Sequence, residues 1–149
     1  MANMDDEDFN YEGMEKIFVS EVKIGTVAML KSRPCRVSYY SAGKTGKHGA
    51  AKAIIKGTDV ITDKHIEYSA STSKSVWIPT VERKSFSYVD LQDDYLHVQG
   101  DNGEVFNYKV NLEDDLIKYI INNSSNEKLL IVILFVIGEH RVVDARIEK

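Results

Sequence analysis

Short apolar segments separated by turn residues fill the chain between Ile17 and Val81. Many of their residues are β-branched or aromatic, and no segment continues with helical spacing. The pattern predicts roughly five short strands that close into a small barrel, at residues 27–30, 35–40, 53–55, 66–68 and 76–78. Gly57 is predicted to break the second of the two longer arms. Trp77, the only tryptophan, is predicted to lie in the barrel core.

After residue 82 the pattern predicts a second β unit that contains one helix. Its strands are expected at residues 85–89, 95–98, 105–110, 129–137 and 140–147, with a hairpin turn at 100–103. Asn111 is the predicted N-cap of the helix. The apolar positions of that helix share one face and are Leu112, Leu116, Ile117, Ile120 and Ile121. Five strands with a helix between the third and the fourth is the order of an OB-fold barrel.

Two aromatic pairs, Phe86 with Tyr88 and Phe106 with Tyr108, occupy alternate positions on strands of this second unit. Such rings can stack on nucleic-acid bases. However, residues 83–149 carry 8 Lys and Arg against 12 Asp and Glu, and this balance disfavours a groove that follows a phosphate backbone. We therefore interpret the four rings as half-buried sheet residues.

The distribution of charge separates the same parts of the chain. Residues 1–16 carry 1 basic side chain against 6 acidic ones, and they are predicted to form a disordered acidic tail. Residues 17–82 carry 10 basic against 5 acidic side chains, which is the electrostatic pattern of a surface that faces phosphate groups. The predicted domains are thus 17–82 and 83–149, joined by a linker near Pro79.

Cysteine content and hydropathy bear on the cellular compartment. The single Cys35 excludes an intrachain disulfide and fits a reducing environment, and its place in an apolar strand favours a buried structural thiol. We expect no signal peptide, because the first residues include neither a basic nor an apolar region. The longest apolar run, residues 129–137, is too short to span a bilayer. The chain is therefore predicted to be cytoplasmic and not associated with membranes.

A basic, glycine-rich stretch, residues 41–52, lies between the two arms of the longest predicted hairpin. Gly43, Gly46 and Gly49 recur at every third position, and no acidic residue occurs from Arg36 to Thr58. Glycine adopts positive φ without a steric penalty, so the stretch is predicted to form a slim turn. The turn places Lys47 at the tip of a cationic hairpin.

Several enzymatic chemistries are excluded at this stretch and elsewhere. A phosphate-binding P-loop needs a glycine five residues before its Gly-Lys-Ser/Thr end, whereas serine stands at that position in both possible registers. The four histidines lie in separate segments without the spacing of metal ligands, so no metal site is predicted. No nucleophile–base pair is apparent either. The chain is therefore predicted not to be an enzyme.

The residues of this loop resemble a known family. The run Gly43-Lys44-Thr45-Gly46-Lys47-His48-Gly49, continued by Ala51-Lys52, is similar to the loop of the eukaryotic and archaeal hypusine-containing translation factor five-A family, the counterpart of bacterial elongation factor P. Further matches lie throughout the chain after the acidic tail, at 33–35, 57–59, 78–79, Arg83 and 103–105. The resemblance implies a mainly β chain, with an N-terminal SH3-like barrel followed by a C-terminal OB-fold barrel with one helix.

The resemblance also implies a function and its partners. Lys47 would be converted to hypusine by deoxyhypusine synthase, which uses NAD to transfer the aminobutyl group of spermidine, and then by deoxyhypusine hydroxylase; the factor itself would need no cofactor. It would bind the ribosomal E site and position the acceptor end of peptidyl-tRNA, which relieves stalling during elongation and termination. Contacts to tRNA and rRNA phosphates would come from Lys44, Lys52, Arg33 and Lys56.

The basic segment also permits a different function. Two β-barrels with a cationic hairpin would serve as a general RNA-binding module that does not depend on modification of a lysine. In that case several lysines would share the binding energy, and Lys47 would have no special role.

Overall fold

A computed structural model of the chain describes residues 9–44 and 51–149. The described residues form eleven strands, a short 3₁₀ turn at Val19–Glu21 and one α-helix. The chain divides into two compact units at the Val81–Glu82 bond. Each unit has a hydrophobic core of its own. The predominance of strands confirms the mainly β fold class that was predicted from the sequence.

The N-terminal unit contains two sheets around one core. Its strands are β1 (Glu15–Phe18), β2 (Val27–Leu30), β3 (Arg33–Lys44), β4 (Ala51–Asp59), β5 (His65–Ser71) and β6 (Ser75–Ile78). Strands β2, β3, β4 and β5 pair in chain order, whereas β1 pairs with β6. Alternate residues of β4, including Ala53 and Ile55, are buried, as expected for strands with one face on the core.

A β-bulge interrupts the pairing of β3 with β4. Val37 lies opposite Gly57 and Tyr39 opposite Lys56, so Ser38 is the extra residue. Its hydroxyl donates a hydrogen bond to the carbonyl of Lys56 (3.3 Å). An extra residue reverses the alternation of side chains along a strand. Beyond the bulge Tyr40 therefore packs on the core, while Tyr39 is exposed.

The predicted break of the second hairpin arm at Gly57 is wrong. Strand β4 continues through Gly57 to Asp59. A Cβ atom at Gly57 would lie 3.0 Å from both the Arg36 carbonyl oxygen and the Cys35 Cβ. Glycine is needed here because the backbone of the paired strand β3 lies too close to Gly57 for a side chain to fit, and not because the strand ends.

The C-terminal unit contains a single five-stranded sheet. Its elements are β7 (Val81–Gln92), β8 (Tyr95–Gln99), β9 (Val105–Lys109), α1 (Asp115–Asn122), β10 (Leu129–Val136) and β11 (Glu139–Ile147). The strands lie in the order β11-β10-β7-β8-β9. The helix follows the third strand and precedes the fourth, in agreement with the OB-fold order predicted from the sequence.

The helix begins later than predicted. Asp114 is the N-cap, and its carboxylate accepts a hydrogen bond from the backbone N–H of Leu116 (3.0 Å). Asn111 instead accepts from the N–H of Glu113 (3.0 Å) in the preceding turn. The predicted N-cap at Asn111 is wrong, because Asn and Asp both form such local bonds and the helical hydrogen bonds begin only at the Asp114 carbonyl. Only Ile117 and Ile120 of the helix are fully buried.

The aromatic pairs of this unit pack against one another. Phe86 is buried, and its ring lies 5.8 Å from Phe106 and 6.3 Å from Phe135. Tyr88, Phe106 and Tyr108 are partly buried against the same core, and burial raises the pKa of Tyr108. The interpretation of these rings as half-buried sheet residues is confirmed.

Residues 9–16 differ from the predicted disordered tail. Glu15 and Lys16 pair with Ile78 and Trp77 in the β1–β6 sheet. Tyr11 stacks on Trp77 with 5.2 Å between ring centroids and 8° between planes, and the ammonium group of Lys16 lies 5.2 Å from the same ring.

Trp77 is only partly buried, so its predicted place in the core is wrong. The sequence missed this contact because the two rings lie far apart along the chain. Residues 1–8 lie outside the described part.

Replacing Tyr11 by alanine is expected to expose Trp77 and to destabilise the N-terminal unit by about 1 kcal/mol, the typical energy of an aromatic pair. Tryptophan fluorescence should shift to longer wavelength in the native protein, and the urea midpoint should fall. Tyr11→Phe retains the stacked ring and serves as the control. An emission spectrum of Tyr11→Ala identical to that of the wild type would show that Tyr11 does not cover Trp77 in solution.

Candidate functional site: the base of the glycine-lysine hairpin

Strands β3 and β4 form the hairpin that carries the glycine-lysine loop. Their pairing extends from Cys35 opposite Asp59 to Lys44 opposite Ala51. The connecting residues 45–50 lie outside the described part of the chain, and with them the predicted site residues Thr45, Gly46, Lys47, His48 and Gly49. The structure therefore describes the base on which the loop is mounted. A strand follows the loop, whereas a P-loop requires a helix there.

Backbone hydrogen bonds anchor the base of the loop. The carbonyl of Ala51 accepts from the N–H (2.9 Å) and the hydroxyl (3.2 Å) of Thr72. The carbonyl of Thr72 accepts in turn from the N–H of Ser20 (3.3 Å). At the facing end of β3, Gly43 is exposed with open space around it. Strand β4 is thus anchored to the barrel by hydrogen bonds at the base of the loop, whereas β3 has a glycine, with no side chain, at the facing end.

The solvent side of the β3–β4–β5 sheet forms a basic surface below the loop. We call it the outer face, and cross-strand pairing places on it Arg36, Tyr39, Ser41, Gly43, Lys52, Ile54, Lys56, Thr58, His65, Glu67, Ser69 and Ser71. Three of these residues are Lys or Arg, and Glu67 is the one carboxylate. Such a surface attracts phosphate groups.

The predicted RNA contacts occupy different environments. Lys52 and Lys56 are exposed on the outer face, and the ammonium group of Lys56 lies 5.0 Å from the centre of the Tyr39 ring. Lys44 pairs with Ala51 through its backbone, and its side chain lies outside the described part of the chain. The hairpin therefore places Lys52 and Lys56 together on one face.

Arg33 forms a structural ion pair. Its Nε donates to a carboxylate oxygen of Asp59 at 2.6 Å, and the backbone N–H groups of Ile61 (2.9 Å) and Thr62 (3.2 Å) donate to the same carboxylate. Asp59 is 1% exposed. The guanidinium group thus compensates a buried charge beside the hairpin, and a contact of Arg33 with RNA stays a prediction.

The Asp59 site should make stability depend on acid. Burial alone raises the pKa of Asp59, but hydrogen bonds from Arg33, Ile61 and Thr62 outweigh it, and the net pKa lies below the ordinary value of 3.8. The ionised carboxylate therefore stabilises the fold above that value, and this contribution is lost as pH falls through the lower folded pKa. Chemical denaturation of wild type and Asp59→Asn from neutral to acid pH should show a steeper acid loss for wild type. Parallel curves would contradict the assignment.

Cys35 lies at the start of β3 and is fully buried. Burial, together with the nearby Asp59 charge, raises the pKa of its thiol from 9.0 to about 12. A thiol in this environment is not a nucleophile at neutral pH. The interpretation of Cys35 as a buried structural residue is confirmed.

Residues 9–44 and 51–149 contain neither a metal-binding cluster nor a helix that could span a membrane. Within these ranges no group of three or more His, Cys, Asp or Glu side chains is arranged to hold a metal ion. Over the same residues, no helix has the length and apolar character needed to cross a membrane.

Comparison with known proteins identifies the family. Residues 15–74 match the family model described as translation initiation factor 5A-like, N-terminal. Translation initiation factor 5A of Halorubrum lacusprofundi is 33% identical over 108 residues, which cover 68% of this chain and 86% of the relative. Eukaryotic translation initiation factor 5A-1 of Arabidopsis thaliana is 30% identical over 151 residues, 93% of this chain and 94% of the relative.

The chain belongs to the translation initiation factor 5A family. The fold agrees, since a solved structure of an eif-5a family protein from Naegleria fowleri superposes with a TM-score of 0.79 at 23% identity, covering 90% of this chain and 99% of the other. The resemblance inferred from the loop is therefore confirmed, and the chain is a translation factor. The prediction that it is not an enzyme agrees with the family.

Sequence reasoning missed one residue of the outer face in this member of the factor 5A family. Tyr39 and Tyr40 are adjacent and chemically equivalent, and nothing local to them determines which ring faces the core. The bulge at Ser38 makes this choice. Two successive exposed positions, Ser38 and Tyr39, between Val37 and Tyr40 are the trace that the bulge leaves in the strand pattern, and a tyrosine at one of them hides this trace in the sequence.

Proposed function

We propose that this factor promotes elongation and termination on the ribosome through a hypusine side chain at Lys47. The observation that supports the proposal most strongly is the loop sequence Gly43–Gly49, which begins where the pairing of β3 with β4 ends, at Lys44 and Ala51. An anchored base and a glycine-rich loop sequence suit a segment that inserts into a narrow space. The relatives' names refer to initiation, whereas the proposal concerns later steps.

The proposed mechanism is positional. Lysine carries a compact charge on a flexible stem, and an added aminobutyl arm lengthens that stem and supplies a second amine. With the factor in the E site, the arm would contact the acceptor end of peptidyl-tRNA beside the peptidyl-transferase centre. Holding reactants in a productive geometry accelerates a reaction without new chemistry. Poor substrates such as consecutive prolines would benefit most.

The proposal assigns partners to the remaining site residues. Deoxyhypusine synthase, with NAD and spermidine, and deoxyhypusine hydroxylase would recognise Gly46, His48 and Gly49 around Lys47. Lys44, Lys52 and Lys56 would contact tRNA and rRNA phosphates, which orients the factor without reading base sequence. With these partners the factor would act in the cytoplasm. Residues 17–82 would act as the loop-bearing domain and 83–149 as the OB-fold domain.

Mass spectrometry of the protein purified from its native cells tests the proposal directly. The peptide that contains Lys47 should carry the mass of hypusine, while the peptides with Lys44 and Lys52 remain unmodified. An unmodified Lys47 in the whole population would refute the hypusine mechanism. The second function, general RNA binding, is favoured by the basic outer face. Under this second function, the Lys47→Arg variant would support translation as well as the wild-type factor does.

A further inference from the structure

We propose that Tyr39 is a stacking platform for an unpaired RNA base, and that Lys56 and Lys52 contact phosphates of the same strand. The inference rests on the proposed function in so far as it takes RNA as the partner. It concerns a surface and a residue that are separate from Lys47. A stacking contact at Tyr39 would distinguish the outer face from a surface that attracts RNA through charge alone.

The bulge at Ser38 is the first observation behind this inference. With regular pairing, Tyr39 would turn to the core and Tyr40 to solvent. The bulge instead leaves Tyr39 44% exposed while Tyr40 packs on the core. Bulges are common where a strand must redirect a side chain for function.

The surroundings of the ring are the second observation. Lys56 lies directly across the strand pair, with its ammonium group 5.0 Å from the ring centre. The neighbouring positions along the face are Ser41 and Ser69, on either side of Ile54, which is 39% exposed. A base stacked on Tyr39 would therefore extend over two small polar side chains and the apolar Ile54. The Lys56 ammonium group, which lies over the ring, would move from it to a neighbouring phosphate.

Charge and spacing favour a single nucleic-acid strand as the ligand. Lys52 and Lys56 are four residues apart on β4, which corresponds to about 13 Å in an extended chain. They lie on the same face as Arg36, whose guanidinium also donates to the Gly25 carbonyl (3.0 Å). Glu67 is the opposing charge, across from Lys56. A basic track beside an exposed aromatic ring is the arrangement that binds single strands.

A stacking residue and a phosphate contact have different experimental signatures. Loss of a phosphate contact lowers the salt dependence of binding, by about 0.7 in the logarithmic slope for single strands. Loss of a stacked base lowers affinity at every salt concentration and leaves the slope unchanged. Base stacking on an aromatic ring contributes a factor of roughly 5 to 150 in affinity.

The experiment measures binding of a labelled, unstructured RNA oligonucleotide by fluorescence anisotropy over a range of salt concentrations. The full-length chain carries Lys47→Arg in every sample, so that modification cannot contribute. Tyr39→Ala should weaken binding about fivefold or more with an unchanged salt slope. Tyr39→Phe should bind as the parent does, and Lys52→Gln should lower the slope.

Tyr95 offers a matched control. It is 48% exposed and pairs with Lys109 across β8 and β9 of the acidic C-terminal unit. Tyr95→Ala should leave affinity unchanged. Tyr39→Leu keeps an apolar side chain on the strand without a π-face, and should bind as weakly as Tyr39→Ala.

The inference is overturned if Tyr39→Ala binds as the parent does, if Tyr39→Leu restores affinity, or if an RNA duplex shows the same loss on Tyr39→Ala as the single strand. Thermal unfolding of each variant checks that the outer face is intact. Because every sample lacks a modifiable Lys47, failure here leaves the hypusine proposal standing. Conversely, an unmodified Lys47 in native cells leaves this inference standing.

Discussion

Replacement of Lys47 by arginine is expected to remove the stimulation of peptide-bond formation on stalling sequences. Arginine keeps the positive charge, but its guanidinium group is not a substrate for transfer of an aminobutyl arm, and its planar shape differs from an ammonium group. In a reconstituted translation system, the rate through consecutive prolines should fall about tenfold or more, which corresponds to about 1.4 kcal/mol in activation free energy. The protein should be purified from cells that contain both modifying enzymes.

Lys44→Arg is the matched control for this experiment. It lies in the same loop motif and retains its charge, yet the proposal gives it only a phosphate contact. We expect it to support translation nearly as well as wild type. Equal activity of Lys47→Arg and wild type, with hypusine verified in the wild-type sample, would contradict the assigned role of Lys47. Equal losses in both variants would point to charge at the tip instead.

Replacement of Arg33 by alanine is expected to destabilise the N-terminal unit by about 3 kcal/mol or more. The Asp59 carboxylate would remain buried without its charge partner, and this costs more than loss of an exposed ion pair. Arg33 itself is 29% exposed in its side chain, whereas that of Asp59 is 2% exposed. Urea unfolding followed by Trp77 fluorescence measures the change, because Trp77 belongs to the same unit.

The double variant Arg33→Met with Asp59→Asn separates charge from packing. Asparagine keeps an acceptor for the Ile61 and Thr62 N–H groups, and methionine fills the space of the arginine stem. We expect this variant to be more stable than Arg33→Ala alone, since no uncompensated buried charge remains. If both lose the same stability, packing and not the ion pair accounts for the effect of Arg33.

The sequence alone determined the features that depend on local chemistry. The loop from Gly43 to Gly49 can be identified because its glycines and lysines are adjacent along the chain. The OB-fold order can be read because strand alternation, helix spacing and turn residues are short-range signals. The same signals placed the helix start at Asn111 instead of Asp114, since both residue types form equivalent local bonds. The modification predicted at Lys47 also depends on the loop sequence alone.

Only the tertiary structure decided the features that join distant residues. Arg33 and Asp59 are 26 positions apart, and their pairing gives Arg33 a structural role that no local sequence signal indicates. Tyr11 and Trp77 lie near opposite ends of the sequence of the N-terminal unit, yet their rings stack. This contact orders part of the acidic N-terminal segment, whose composition indicates disorder. The bulge at Ser38 decides that Tyr39, and not Tyr40, faces solvent. Register and long-range contacts are set by the packing of the whole unit, and so no short segment of sequence contains them.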